Sequence, residues 1–379
     1  MGDGSAGSRG GYAGRGPVRV GVLGCGNVSS RYVANLAGQP EVDVVACADA
    51  DPVRARALAA AHALPEIPSV DDLLAHPGLD LVLNLTPPRV HAELTLRALA
   101  YDKHVYTEKP LATSLADARR ILDTARARKL RVGTAPDTFL GTGPRTCADL
   151  VTRGAIGTPV SVNAAMMNAG PERFHPEPEF LYQEGAGPLF DIGPYYLTVL
   201  TALMGSVVRV GALGATARPE RVVLTGPRAG STFPVQTPTH VNTVLEFATG
   251  ALGMLVTSFD VTATRTPHLE IHGTGGTIVA AQANSWGGPV LLRGAGDTDF
   301  TEVVSGPQAS DGFMGMGLVD LARAILADRP ALATAERGFH VLEVLTAIAD
   351  SARDGGRFVP MTSTLEDPGG RQPAAPAGR

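Results

Sequence analysis

Cysteine is almost absent: Cys25, Cys47 and Cys147 are the only three in 379 residues, and no two of them form a C-x-x-C pair. An odd, sparse set argues against a disulfide framework and makes a reducing, cytoplasmic compartment the expectation. The nine histidines are scattered along the chain with no Cys/His cluster, so no metal site is expected. Basic residues number 32 against 37 acidic ones, a net charge of −5, and no basic run is dense enough to track a phosphate backbone. Nucleic acid is therefore not an expected partner. No stretch of about 18 apolar residues is available to span a bilayer, so no membrane association is expected either. Residues 1–16 and 367–379, rich in Gly, Pro, Ala, Ser and Arg, lack the apolar core of a signal peptide and read as flexible tails.

The remainder is globular in composition, with 44% hydrophobic and 18% charged residues, and long enough for two domains. Across 17–137, short apolar runs at 18–23, 42–48, 81–85, 104–106 and 131–134 read as buried parallel strands. Amphipathic helices at 91–100 and 115–128 lie between them, the second with Ser114 in the N-cap position. This rhythm predicts an α/β Rossmann domain built on a doubly wound parallel sheet. Over 138–366 the texture changes to strands at 160–166, 207–213, 221–224, 241–247, 251–259, 268–272 and 277–280, with turns at Thr249-Gly250 and Thr274-Gly275-Gly276. Helices are expected at 189–204, 313–327 and 336–353, and Pro-rich 226–238 as an excursion between strands. The prediction for this half is an α+β domain with a large, mostly antiparallel open sheet. Its exposed face needs covering, which points to a homodimer or homotetramer.

The first strand runs into Gly24-Cys25-Gly26-Asn27-Val28-Ser29, a G-x-G-x-x-G pattern with Ser in the third place. Gly24 suits the tight turn, Gly26 lets backbone approach a pyrophosphate, and the small Ser29 permits close helix–strand packing. Asp49 ends the second strand a little over 20 residues on, placed to hold ribose hydroxyls. Together these features predict a dinucleotide site that includes Asn27 and Val28. The acidic Asp49 favours NAD over NADP, although Arg54 or Arg56 could accommodate a 2′-phosphate. Asn84 and Thr86, at the C-terminal end of a strand, fall on the cofactor side. A second Gly-rich stretch, 272–276, lies between two strands with no helix behind it and reads as a turn.

Four motifs in order carry a resemblance to the Gfo/Idh/MocA family: the glycine fingerprint, Thr86-Pro87-Pro88 with His91, the 103–110 segment ending Glu108-Lys109-Pro110, and Asp191-Ile192-Gly193-Pro194-Tyr195. Within the family the chain is most similar to a subgroup carrying Gly193-Pro194-Tyr195-Tyr196-Leu197-Thr198. The resemblance implies hydride transfer between nicotinamide and a sugar or cyclitol, with Pro87, His91 and Glu108 on the cofactor side. It also implies that Lys109 projects toward the nicotinamide and the reacting hydroxyl, with a carboxylate and a proton carrier supplied by the second domain. The family usually reads D-x-G-x-H at the last motif; here Tyr195 stands where that His would be.

Oxidising a secondary alcohol requires loss of a hydride from carbon and of a proton from oxygen. Lys109 can stabilise a developing alkoxide, although a lysine in a loop is also an ordinary surface residue. Asp191 and Tyr195, at i and i+4, can share one helix face. Asp191 also suits a helix N-cap near residue 189, with Pro194 in the first turn, and Tyr195 could be a packed aromatic. With Tyr195 as the acid/base, a phenol near pKa about 10 is a poor base and a good donor, which leans toward ketone reduction. His175, Asn163 and Asp137 are candidate substrate contacts. Two other readings stand beside the dehydrogenase: a glycosidase-type enzyme that oxidises the sugar ring transiently, and a dinucleotide-binding sensor without catalysis.

Overall fold

The computed structural model describes residues 16–64, 69–303 and 311–365; apart from Gly16, both expected tails lie outside them. The chain divides into two compact units, one of residues 1–135 with 314–335, the other of 136–313 with 336–379.

In the first unit five parallel strands stand in the order β2-β1-β3-β4-β5: β1 (Val18–Leu23), β2 (Val42–Ala48), β3 (Leu81–Asn84), β4 (His104–Thr107) and β5 (Val132–Thr134). Every residue of β3 and β4 is buried, which is why these strands read as continuous apolar runs and not as alternating ones. The helices between them are α1 (Ser29–Leu36), α2 (Pro52–His62), α3 (Val70–Ala75), α4 (Pro88–Ala100) and α5 (Leu115–Arg128). Local chemistry sets their starts. Asp51 accepts from the Val53 N–H with Pro52 at the first helical position, and Ser114 caps α5 by accepting from the Asp117 N–H. The chain leaves β1 to one side for β2 and to the other for β3, so the topological switch lies between β1 and β3.

Residues 314–335, expected from sequence in the second domain, belong to the first unit. Helix α8 (Met316–Leu326) buries Leu318, Leu321, Ala322 and Ile325 and packs on β4 and β5. Gly317 permits the approach: a Cβ there would lie 2.3 Å from the Tyr106 hydroxyl of β4. Each large aliphatic so covered is worth about 1.5–3 kcal/mol.

The second unit is built on a nine-stranded sheet, β15-β14-β13-β12-β6-β11-β10-β7-β16. Its strands are β6 (Pro159–Met167), β7 (Val207–Ala215), β10 (His240–Phe247), β11 (Leu252–Ser258), β12 (Leu269–Gly273), β13 (Gly276–Ala280), β14 (Val290–Gly294), β15 (Thr301–Glu302) and β16 (Val359–Pro360). Only β6 and β11 pair in parallel; the other neighbours are antiparallel. The strand expected at 221–224 is β8 (Glu220–Val222), which pairs outside the main sheet with β9 (Thr232–Pro234) from within the Pro-rich excursion. The helices are α6 (Thr142–Thr152), the long apolar α7 (Gly187–Met204) and α9 (Ala335–Arg353). Val199 of α7 and Leu269 of β12 line one small cavity, so the helices cover the face that carries Leu269 and its cross-strand partner Ala164. The opposite face leaves Leu213, Val244, Leu252 and Met254 exposed in register.

Candidate functional site

The first unit gathers its polar groups at the C-terminal ends of β1, β3 and β4. Gly24 has φ +91°, and a Cβ there would lie 2.8 Å from the backbone of Leu85 and Thr86, so only glycine lets β1 turn this close to β3. Gly26 is the opposite case: a Cβ would meet nothing within 4 Å, and Gly26, Asn27 and Val28 are all exposed. Ser29 is buried, its Oγ donating 2.7 Å to the Gly26 carbonyl, so a serine closes the third fingerprint position by gripping the loop itself. No side chain caps α1, whose N-terminus opens at this loop. Asp49 is half-buried; its Oδ2 accepts from the Cys25 N–H at 2.7 Å and its Oδ1 from the Asp51 N–H at 2.8 Å. An open glycine shelf, an uncapped helix start and an acid at the end of β2 fit a dinucleotide, the pyrophosphate over Gly26 and the ribose toward Asp49. Arg54 is exposed and lies 3.7 Å from Asp51.

Two expected cofactor contacts have other work. Asn84 is fully buried: its Nδ2 donates to the His91 carbonyl and to Thr95 Oγ1, and its Oδ1 accepts from the N–H and hydroxyl of Thr86. It spends its donors and acceptors on the turn after β3, leaving Thr86 and the exposed Pro87 at the surface of that turn. His91, 1% exposed, points both ring nitrogens at backbone carbonyls. Glu108 and Lys109 follow β4, and the Lys109–Pro110 bond is cis. One Glu108 oxygen accepts from the Tyr32 hydroxyl of α1 at 2.8 Å, the other from the Lys109 N–H at 2.9 Å. Tyr32 is a site residue that the sequence did not reveal; its only signal is its place one turn into the helix after the fingerprint.

In the second unit, Asp191 and Tyr195 are both half-exposed and one turn apart on α7. The helix starts at Gly187 behind Ala186, so Asp191 is not an N-cap, and Pro194 lies inside the helix instead of in its first turn. Proline has no N–H, so the Phe190 carbonyl loses its helical donor beside Asp191. Tyr196 takes the packed role, buried with its hydroxyl on the Ala165 carbonyl at 3.1 Å. Asp137 is buried and accepts from the Trp286 indole N–H at 3.2 Å. His175 accepts at Nδ1 from the Glu177 N–H and sets its ring edge against Phe180. Asn163 pairs across the sheet with Met254 and lies 3.3 Å from His272, on the face opposite α7; strand alternation directs it away from Asp191 and Tyr195. The 272–276 stretch is the β12–β13 hairpin, as expected.

Residues 18–135 match the family described as "Oxidoreductase family, NAD-binding Rossmann fold", and residues 145–279 match the GFO/IDH/MocA C-terminal domain. A dTDP-3,4-didehydro-2,6-dideoxy-alpha-D-glucose 3-reductase from Streptomyces antibioticus is 31% identical over 270 residues, covering 67% of this chain and 80% of that protein. The chain belongs to the Gfo/Idh/MocA oxidoreductase family. A reductase of the same name from Saccharopolyspora spinosa is 34% identical over 217 residues, 56% of this chain but only 64% of the relative's length. An aldose-aldose oxidoreductase from Caulobacter crescentus shares the fold, with a TM-score of 0.76 at 24% identity over 91% of this chain and 100% of its own. The first unit is thus the family's NAD-binding Rossmann domain, and the second carries its C-terminal domain. Among the described residues no helix is long and apolar enough to cross a membrane, and no group of three or more His, Cys, Asp or Glu is set to hold a metal ion.

Proposed function

We propose that this member of the family is an NAD(H)-dependent sugar ketoreductase, interconverting a ring ketone and its secondary alcohol, with reduction the favoured direction. The observation that carries the reading is the Tyr32–Glu108–Lys109 connection, which joins the helix behind the nucleotide turn to the backbone of the candidate lysine. A bound nicotinamide would supply the hydride. Gly24, Gly26, Asn27 and Val28 would hold the pyrophosphate and Asp49 the ribose. The Lys109 ammonium donates to the reacting oxygen and stabilises negative charge as it develops there. Within the second unit Tyr195 is the candidate proton donor, a task for which a neutral phenol is better suited than for abstraction, and Asp191, one turn earlier on α7, is the candidate carboxylate for substrate hydroxyls. Two relatives named as reductases of a nucleotide-linked keto sugar support the same direction. The exposed apolar face of the nine-stranded sheet suits self-association as a dimer or tetramer, and three free, buried cysteines suit a reducing compartment.

The test is oxidation of NADH or NADPH against a panel of keto sugars that are free, phosphorylated or nucleotide-linked. Lys109→Met should lower turnover about 100–1,000-fold while NADH affinity stays within about twofold, since one charge-stabilising donor is worth that much. Failure to bind either dinucleotide, or full turnover by Lys109→Met, removes the proposal.

A further inference from the structure

Beyond Thr107 no strand holds the backbone that carries Lys109. The Glu108 N–H still reaches the Asn84 carbonyl at 2.9 Å, and then β4 ends. Pro110 has no N–H, so its carbonyl is the one main-chain group by which it can be fastened. His91 takes that carbonyl, its Nδ1 lying 2.7 Å away, while its Nε2 lies 2.6 Å from the carbonyl of Thr86. Each ring nitrogen thus lies within hydrogen-bond reach of a main-chain carbonyl. A ring engaged in this way has no nitrogen left for a ligand. What it does have is a grip on two turns at once, one after β3 and one after β4. Its own carbonyl is held in turn by Asn84.

We propose that His91 is a positioning residue for Lys109, fixing the lysine's backbone against the end of β3 by bridging the Thr86 and Pro110 carbonyls. Glu108 grips the Lys109 N–H on the near side and His91 grips the Pro110 carbonyl on the far side. With the backbone pinned on both sides, the side chain leaves the chain in one direction. The inference rests on the reading of Lys109 as the residue that meets the reacting oxygen. A misplacement of about 1 Å at such a group lowers turnover on the order of 100-fold.

The composition offers a direct measurement, because the chain has only three lysines: Lys103, Lys109 and Lys129. Lys103 is buried with its ammonium on the His76 and Leu79 carbonyls, and Lys129 is exposed. Trace acetylation of the full chain by acetic anhydride, read by peptide mass spectrometry, thus carries its own folding control in Lys103 and its own reagent control in Lys129. In His91→Ala the Lys109 rate relative to Lys129 should rise about threefold or more, with Lys103 still protected. NADH affinity should stay within about twofold while kcat on the keto sugar found by the panel falls about 10–100-fold and KM changes little. His91→Gln, which keeps one donor, should recover part of both effects. An unchanged Lys109 rate overturns the proposal, as does a loss of NADH affinity that accounts for the loss of turnover. If Lys103 also becomes reactive in His91→Ala, His91→Gln decides by the same two readouts. Lys109→Met acting at full rate would instead sink the catalytic reading, whatever the labelling shows.

Discussion

Each unit holds a polar cluster, and the two are built to opposite plans. In the first, Gly26 faces open space, Asp49 is half-buried and the polar groups ring the ends of parallel strands. In the second, Arg221 of β8 is 1% exposed, between Glu172 at 4% and Asp260 at 11%. Its guanidinium also donates to the Phe259 and Ala169 carbonyls and lies over the Tyr182 ring, while Tyr182 and Thr239 donate to the two carboxylates. The open cluster keeps backbone groups and a carboxylate where a ligand can reach them. The closed one turns its donors and acceptors on each other, and so fastens the β8–β9 excursion to the end of β11. The contrast separates chemistry from architecture better than charge count does: Glu172, Arg221 and Asp260 lock onto one another in the closed cluster, whereas the open one leaves Asp49 and the Gly26 backbone accessible.

The largest effect expected is therefore one of stability, and it falls in the second unit. Arg221→Ala would leave two buried carboxylates uncompensated, which costs about 3–5 kcal/mol where a buried ion pair is broken on one side only. Urea unfolding should show that loss, while native Arg221→Ala binds NADH as the parent does. Weakened NADH binding in still-folded protein would break the division between the two clusters.

A second test uses His340, on α9 of the same closed unit. Its Nε2 accepts from the Val207 N–H at 3.0 Å, which requires that nitrogen to be bare, and its Nδ1 meets Ser363 at 2.7 Å. Burial pushes its pKa down from 6.5 to about 4, with Glu343 opposing and Arg337 assisting. The unfolded chain thus binds the proton more readily than the folded one between those values. Stability from this group is complete above about pH 6.5 and is lost as pH falls toward 4, on the order of 3 kcal/mol in all. Burial acts against ionised Glu343, but hydrogen bonds from Ser363 and Thr362 prevail and hold its carboxyl below its usual value. Its contribution is therefore lost only at the acid end of the same range. Urea midpoints between pH 7 and 4.5 should fall along this curve and fall less steeply in His340→Gln. An unchanged slope would mean that His340 is not the group being protonated.

The open cluster was legible in sequence because its residues are close together in the chain or follow strand ends. Gly24, Gly26, Ser29 and Asp49 span one β-α-β unit, and the five parallel strands announce themselves as apolar runs. The closed cluster was not legible, because Glu172, Arg221 and Asp260 are separated by dozens of residues and belong to no repeating pattern. Asn84 and His91 were legible as positions but not as roles. A polar residue at a strand's C-terminal end is equally suited to a ligand or to the turn beside it, and only burial with a full set of partners shows which. The cap alternative for Asp191 falls away because the helix starts at Gly187, behind Ala186, with none of the usual capping chemistry. The place of α8 in the first unit depends on a glycine against Tyr106, a contact that hydrophobic periodicity does not encode.

The smallest effect sharpens the open side of the comparison. Asp49 does two things: it holds the Cys25 and Asp51 N–H groups, and it presents negative charge where a ribose would lie. Asp49→Asn keeps one acceptor oxygen and removes the charge. Hydrogen bonds to a charged partner exceed neutral ones by roughly 1 kcal/mol, so NADH binding should weaken about three- to tenfold. NADPH binding should strengthen, since its 2′-phosphate no longer meets a carboxylate and Arg54 stands exposed nearby. Fluorescence titration with both nucleotides separates the two roles. If both affinities fall together, Asp49 matters for shaping the loop alone; if they move in opposite directions, its charge selects the cofactor.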